Sequence, residues 1–369
     1  MPFIDRQNIL SKIETLRGGR TAVCLFNFDR QCNPPILGIA TQFQSDIKEA
    51  LFRVLKESTH TQQGVDLCLY TRGGDVNAVW PIVSLLREFD ENFEVLVPFR
   101  CHSGGTLVAL GSKKIVLTPL SELSPIDPTT GNQFNPSDPA NPSARLGISV
   151  EDVVAYRTFV LDQFRNDENN PGDRVHSILP PFIQSLVEKV HPLALGNVHR
   201  VHLQIKQLAG NLLGLHPCPR RNIQEVTEAL TTKFYSHLHM INREEARTIL
   251  GGEHVDFAPS DLALALDELL RTYEDDFALR KQFFLNEKLG DQPSDEVRFI
   301  GGAVESKLWS YVYETVAKVK QHSAIPPNVQ IQLPPGQPMP LIEGLPREID
   351  VEVTRQGWIR NKEPKGVTK

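Results

Sequence analysis

Nowhere in the chain do two cysteines stand in a Cys-x-x-Cys pair. The five present, Cys24, Cys32, Cys68, Cys101 and Cys218, are scattered. Cys24, Cys68 and Cys101 fall in or at the ends of apolar runs. This usage speaks against a disulfide framework or a zinc site and reads as small core residues in a reducing compartment. No apolar run approaches the ~18 residues of a membrane span. The first residues, MPFIDRQNILSKIE, are charged where a secretory leader would be apolar, so a cytoplasmic location is expected. Positive charge is not in excess: the net charge of −6 speaks against a nucleic-acid partner. No internal repeat is visible. Lysine is missing altogether between Lys114 and Lys189.

What is present is a soluble-protein composition, 40% hydrophobic and 23% charged over 369 residues. Residues 4–17 read as a short amphipathic helix stopped by Gly18-Gly19. Strand-length apolar runs follow at 21–28, 65–71, 93–98 and 114–118. Helical spacing falls between them at 43–58, 76–89 and 104–110. Strand and helix in alternation predict an α/β fold with a mainly parallel sheet. Residues 124–149, rich in Pro, Asn, Ser and Gly, read as a long surface loop. From Val150 the spacing turns helical, with helices expected over 150–164, 182–190, 198–212, 223–234, 242–250, 262–287 and 304–321. The last ~45 residues are proline-rich and end in IDVEVTRQGWIR, which alternates like an edge strand.

The chemistry concentrates between Leu67 and Pro128. A strand ends in TRGGD and feeds a helix, so backbone N–H groups are left without partners at the helix start. Glycines allow unusual backbone angles and close approach of a substrate, and such a turn can donate to a developing oxyanion. Taken alone, Gly73-Gly74 reads more readily as a plain tight turn. Ser103 closes the next strand and opens the helix GTLVALG. Two roles are open to it: an N-cap, or a nucleophile with the Gly104 N–H beside it as an oxyanion donor. The Gly-x-Ser-x-Gly elbow is not met, because Cys101 stands where the first glycine would be.

Taken together, TRGGD (71–75), VPFRCHSGGTLVAL (97–110) and LSPIDP (123–128) resemble the serine dehydrogenase proteinase family, which is similar to signal peptide peptidase A within the Clp-protease/crotonase superfamily. HPLALGNVHR (191–200) and YSHLHMINREEARTILGGEHV (235–255) resemble later helical blocks of that family, so the resemblance spans about residues 8–255. It implies a Clp-protease/crotonase-like ββα superhelix followed by a helical region. It makes Ser103 the nucleophile and Gly73, Gly74 and Gly104 the oxyanion hole. Three positions depart from the family pattern: Arg72 in place of proline, Gly104 in place of alanine, Ser124 in place of glycine. Residues 1–255 are expected as the peptidase domain, its helical half at about 150–255, with 256–369 as a helical and proline-rich appendage serving subunit contacts.

A serine hydroxyl needs a group to take its proton. Signal peptide peptidases use a downstream lysine, and this chain has none in that interval. Arg145 stays charged and cannot act as a base. Asp127 lies near where the Clp subunit places its histidine; it could accept a proton or cap its own turn. Of His176, His191, His199, His202 and His237, His237 falls in the family-like YSH block and is the histidine chosen. His199 and His202 lack a third ligand, so no metal is expected, and no cofactor. The leading function is a serine peptidase acting on peptide or protein through a Ser103 acyl-enzyme, in a homo-oligomer. Two alternatives remain: a crotonase-like acyl-CoA enzyme that needs no serine at 103, and a catalytically inactive scaffold of the same fold.

Overall fold

The computed structural model describes residues 2–33, 42–58, 63–127, 129–139, 141, 144–165, 180–181, 183–216, 222–234, 236, 238–324, 341 and 344–361. The chain divides into two compact units, residues 1–122 with 254–369, and residues 123–253. This division differs from the expected one at residue 255.

The first unit is built on an eight-stranded sheet. Its strands are β1 (Thr21–Asn27), β2 (Val65–Tyr70), β3 (Glu94–Val97), β4 (Lys114–Leu117), β5 (Val255–Phe257), β6 (Ser294–Ser306), β7 (Ser310–Ser323) and β8 (Arg347–Arg360), in the spatial order β5-β4-β3-β2-β1-β6-β7-β8. The five strands from β5 to β1 are parallel, with Cys24 facing Cys68 and Ile115 facing Val255. β1, β6, β7 and β8 then pair antiparallel. The first four, β1 to β4, are short, apolar and wholly or almost wholly buried, as strands covered on both faces must be.

Helices α1 (Pro2–Leu16), α2 (Ile47–Ser58), α3 (Val79–Phe89), α4 (Gly104–Leu110) and α5 (Ser260–Phe277) surround the sheet. Alternate strand residues point to opposite faces. One set, Cys24, Phe26, Cys68, Tyr70, Leu96 and Val116, packs with Ile9, Leu10 and Ile13 of α1 and with Leu262, Leu266, Leu269 and Tyr273 of α5. At the amino ends of the parallel strands, fully buried Asp66 receives Arg17 Nε at 2.7 Å and Arg20 Nε at 2.6 Å. The opposite, carboxyl ends of β2 and β3 carry the two glycine turns, where open α/β sheets place their ligand sites.

Three of the sequence expectations for the C-terminal third need correction. Residues 304–321 are not a helix. They belong to a β6–β7 hairpin closed at Ser306–Ser310, where Ser306 Oγ accepts from the N–H of Leu308 and Trp309. The run SYVYETVAKV is dense in β-branched and aromatic residues, and its burial alternates along much of β7. The expected 262–287 helix stops at Phe277, with Ala278 left-handed at φ 51°, ψ 48°, and its apolar face is buried. Residues 256–369 therefore supply a helix and four strands of the main sheet (most of β5, all of β6–β8) in place of an appendage. The final strand does lie at the sheet edge, as its alternation suggested.

The second unit is mainly helical, with helices at Val150–Arg165, Pro192–Gly214, Ile223–Thr232 and Arg243–Leu250. Asn222 and Asn242 cap two of them through their side chains. The stretch read as an irregular loop is drawn together by a short antiparallel pair, Thr129–Thr130 with Ile148–Ser149. Asn135 Nδ2 donates across it to Thr130 O and Leu146 O.

Candidate active site

β2 runs into Thr71, whose N–H donates to Arg100 O at 2.9 Å; His102 N–H donates back to Thr71 O at 3.0 Å. These bonds hold the two strand ends side by side and so align the turns that follow them. In the first turn, Gly73 N–H donates to Thr71 Oγ1 at 3.0 Å. Gly73 O accepts from Phe43 N–H and Phe43 O from Asp75 N–H, which straddles Gly74. Gly73 has φ 99°. A Cβ built there would lie 2.7 Å from Ser103 Cβ and 3.0 Å from Gly104 N, so position 73 has room for no side chain.

In the second turn Gly105 N–H donates to His102 O at 2.8 Å, closing His102-Ser103-Gly104-Gly105 as a β-turn. Ser103 sits at φ 48°, ψ −109°, close to the angles of the second residue of a type II′ turn, a position that favours glycine. Among the described residues only Ser103 and Ala278 are non-glycine residues with positive φ. Such strain costs about 1–3 kcal/mol and persists only where the surroundings over-determine it. Ser103 precedes the helix, yet its side chain makes no capping bond to it. The N-cap role open in the sequence is therefore not the one it plays. A Cβ at Gly105 would meet Thr71 Cγ2 at 2.5 Å, so that glycine is required by close packing; one at Gly104 would have 3.6 Å to its nearest neighbour, Gly74 N. The family's alanine would fit at position 104.

The turns bring Ser103, Gly73, Gly74 and Gly104 together. They also separate the roles of the glycines. The Gly73 amide is used on Thr71, whereas the amides of Gly74 and Gly104 have no acceptor among the described residues. Two such N–H groups beside a serine are the donors that stabilisation of a developing oxyanion requires, and Gly73 is the spacer that lets the turns touch.

A polar network that sequence reasoning missed lies beside this turn. His102 Nε2 is 3.0 Å from Glu122 Oε1, and Arg100 Nε donates to the same oxygen at 3.3 Å. Arg100 Nη1 also reaches Asp29 Oδ2 at 2.5 Å, and Tyr70 OH donates to Asp29 Oδ1 at 3.0 Å. Burial, aided by the Asp29 charge, pushes the Tyr70 phenol well up. Burial likewise raises the Cys101 thiol and keeps it protonated, so the cysteine beside the serine is inert. Arg72, where the family carries proline, is exposed and stands 3.9 Å from Asp29.

The other proposed groups belong to the second unit. Asp127 is 3% exposed, and Glu151 beside it has its carboxyl pushed up to about 7 by burial and by the hydrogen bond it shares with Asp127. Ser149 Oγ donates to Glu151 Oε2 at 2.7 Å. Asp127 thus takes part in a carboxyl pair, whose other half, 24 positions on, no local pattern announces. His191 Nδ1 accepts from Leu193 N–H and caps its helix. His202 is lowered by burial, Lys206 and His199. His176 and His237 lie outside the described residues. No group of three or more potential metal ligands gathers among the described residues, and no described helix is long and apolar enough to cross a membrane.

Comparison with known proteins gives a partial match. Residues 2–140 match the family model of ClpP-like SDH-type serine proteinases. The uncharacterised protein MJ0137 of Methanocaldococcus jannaschii is 38% identical over 73 residues, covering 20% of this chain and 26% of that one. MJ1495 of the same organism, also uncharacterised, is 28% identical over 152 residues, covering 41% and 50%. The chain thus spans half or less of these curated relatives. Among solved structures, a mutant of the 1510-N membrane-bound stomatin-specific protease aligns at 17% identity and TM-score 0.29, covering 58% of this chain and 75% of that one. An enoyl-CoA hydratase described as putative, from Streptomyces coelicolor A3(2), aligns at 14% identity and TM-score 0.27, covering 64% and 72%.

Proposed function

Since residues 2–140 match the model of the ClpP-like SDH-type serine proteinases, we propose that this chain is a serine peptidase of the signal-peptide-peptidase kind with Ser103 as its nucleophile. One observation carries the reading: Ser103 is held in a strained turn against the amides of Gly74 and Gly104. Ser103 Oγ attacks a peptide carbonyl carbon, and the proton it gives up ends on the nitrogen of the leaving amine. The carbonyl oxygen becomes the oxyanion and takes the two amide donors. The C–N bond then breaks, the amine leaves with a proton, and the acyl-enzyme remains. Water adds to the ester, and the acid product departs as Ser103 regains its proton. Gly73 shapes the hole without donating to it. The family background also favours a homo-oligomer, which light scattering on the purified chain would test.

A fluorophosphonate probe tests the nucleophile directly. The expected result is a single adduct on the intact protein, at Ser103, absent from Ser103→Ala. Folded protein that takes no label overturns the reading. An acyl-CoA activity that survives in Ser103→Ala would move the assignment to the crotonase side of the superfamily, where the same two amides serve an enolate.

A further inference from the structure

The angle at Ser103 has to be held by something, since the free preference of a serine lies elsewhere. Backbone bonds account for part of it: Thr71 grips Arg100 and His102, and Thr106 Oγ1 donates to Cys101 O at 2.9 Å. The side chains supply another clamp. Arg100 and His102 flank Cys101 on the last extended stretch before the serine, and both reach one oxygen of Glu122. Glu122 is itself fixed by its own N–H, which donates to Phe99 O at 2.9 Å. Arg100 is braced from its far end by Asp29, and Asp29 by Tyr70. His102 is buried, so its ring has little room to turn away from this partner.

We infer that Glu122 and His102 are positioning residues for the reaction proposed above: the Glu122 carboxylate holds His102 and Arg100 so that the chain enters Ser103 at positive φ. Their effect on the reaction runs through the backbone angle at Ser103. The inference rests on the peptidase reading for its effect on rate, but its structural half stands apart from it.

The test compares fluorophosphonate labelling rates and thermal midpoints of the full chain with those of Glu122→Ala, Glu122→Gln and His102→Ala. Glu122→Ala is expected to label at least about tenfold slower at Ser103, since small misplacements of a reacting atom are costly. Glu122→Gln keeps an amide oxygen for both donors and is expected to recover most of that loss. A merely structural residue would lose rate only in step with the folded fraction, and Gln would not restore it. A crystal structure of Glu122→Ala supplies the second measurement, with Ser103 expected to leave positive φ. His102→Ala removes the same bond from the other end and serves if Glu122→Ala does not fold. Ser103 retaining φ near 48°, or Glu122→Ala labelling at the parent rate, overturns the inference. If the parent chain takes no label, the peptidase reading fails, and the angle at Ser103 in the variant still decides the positioning.

Discussion

Glycine is needed in this site for different reasons at different positions, and substitutions separate them. Gly73→Ala would place a methyl group 2.7 Å from Ser103 Cβ on a residue that already has positive φ. It is expected to abolish fluorophosphonate labelling and to destabilise the fold by roughly 2 kcal/mol or more, read from a urea midpoint. Gly104→Ala meets nothing closer than 3.6 Å and is expected to label at close to the parent rate. The glycines and Ser103 were legible in the sequence because each is a local signal, a breaker or cap residue at a strand-to-helix junction. The split of duty between Gly73 and Gly74 was not, because it depends on a hydrogen bond to Thr71. Glu122 was equally hidden: its link to His102 spans 20 positions with no periodicity to mark it.

At the scale of elements, the deepest charged cluster joins α1, α5 and the β6–β7 hairpin. Arg6, 1% exposed, donates through Nε to fully buried Glu305 at 2.7 Å and pairs with Asp276. Glu305 also receives Tyr273 OH and Ser310 Oγ, each at 2.6 Å. Removing one partner strands a buried charge, so Arg6→Ala is expected to cost about 3–5 kcal/mol in urea unfolding. Ala278, left-handed at the end of α5, points the other way: Ala278→Gly is expected to gain about 1 kcal/mol. The parallel half of the sheet was readable from alternation of apolar runs with helical spacing. The antiparallel half was not. Residues 304–321 have apolar spacing compatible with a helix, and the pairings that make them strands are not written in that run: β1 pairs with the end of β6, and β6 and β8 pair with β7 on either side.

At the scale of the whole molecule, the second unit is an insertion between Glu122 and His254 of the first. Its carboxyl pair sets a pH signature. Burial and the hydrogen bond to Asp127 push the Glu151 carboxyl up to about 7 from an ordinary 4.5, so between those values the folded state holds a proton that the unfolded chain has lost. That contribution to stability is complete below 4.5 and disappears as pH rises through 7. The denaturant midpoint of the parent chain is therefore expected to fall between pH 5 and 8 relative to Glu151→Gln, and a parallel course of the two curves would rule this out. The sheet order has a further consequence for synthesis. β1 to β4 leave the ribosome as a four-stranded parallel sheet with both borders open. β5, which covers the β4 border, emerges only after the entire insertion, and β6, which covers β1, later still. Pairing over such separations is slow. While the insertion is being made the nascent chain therefore presents two apolar strand borders at once, and a holding chaperone would engage it there.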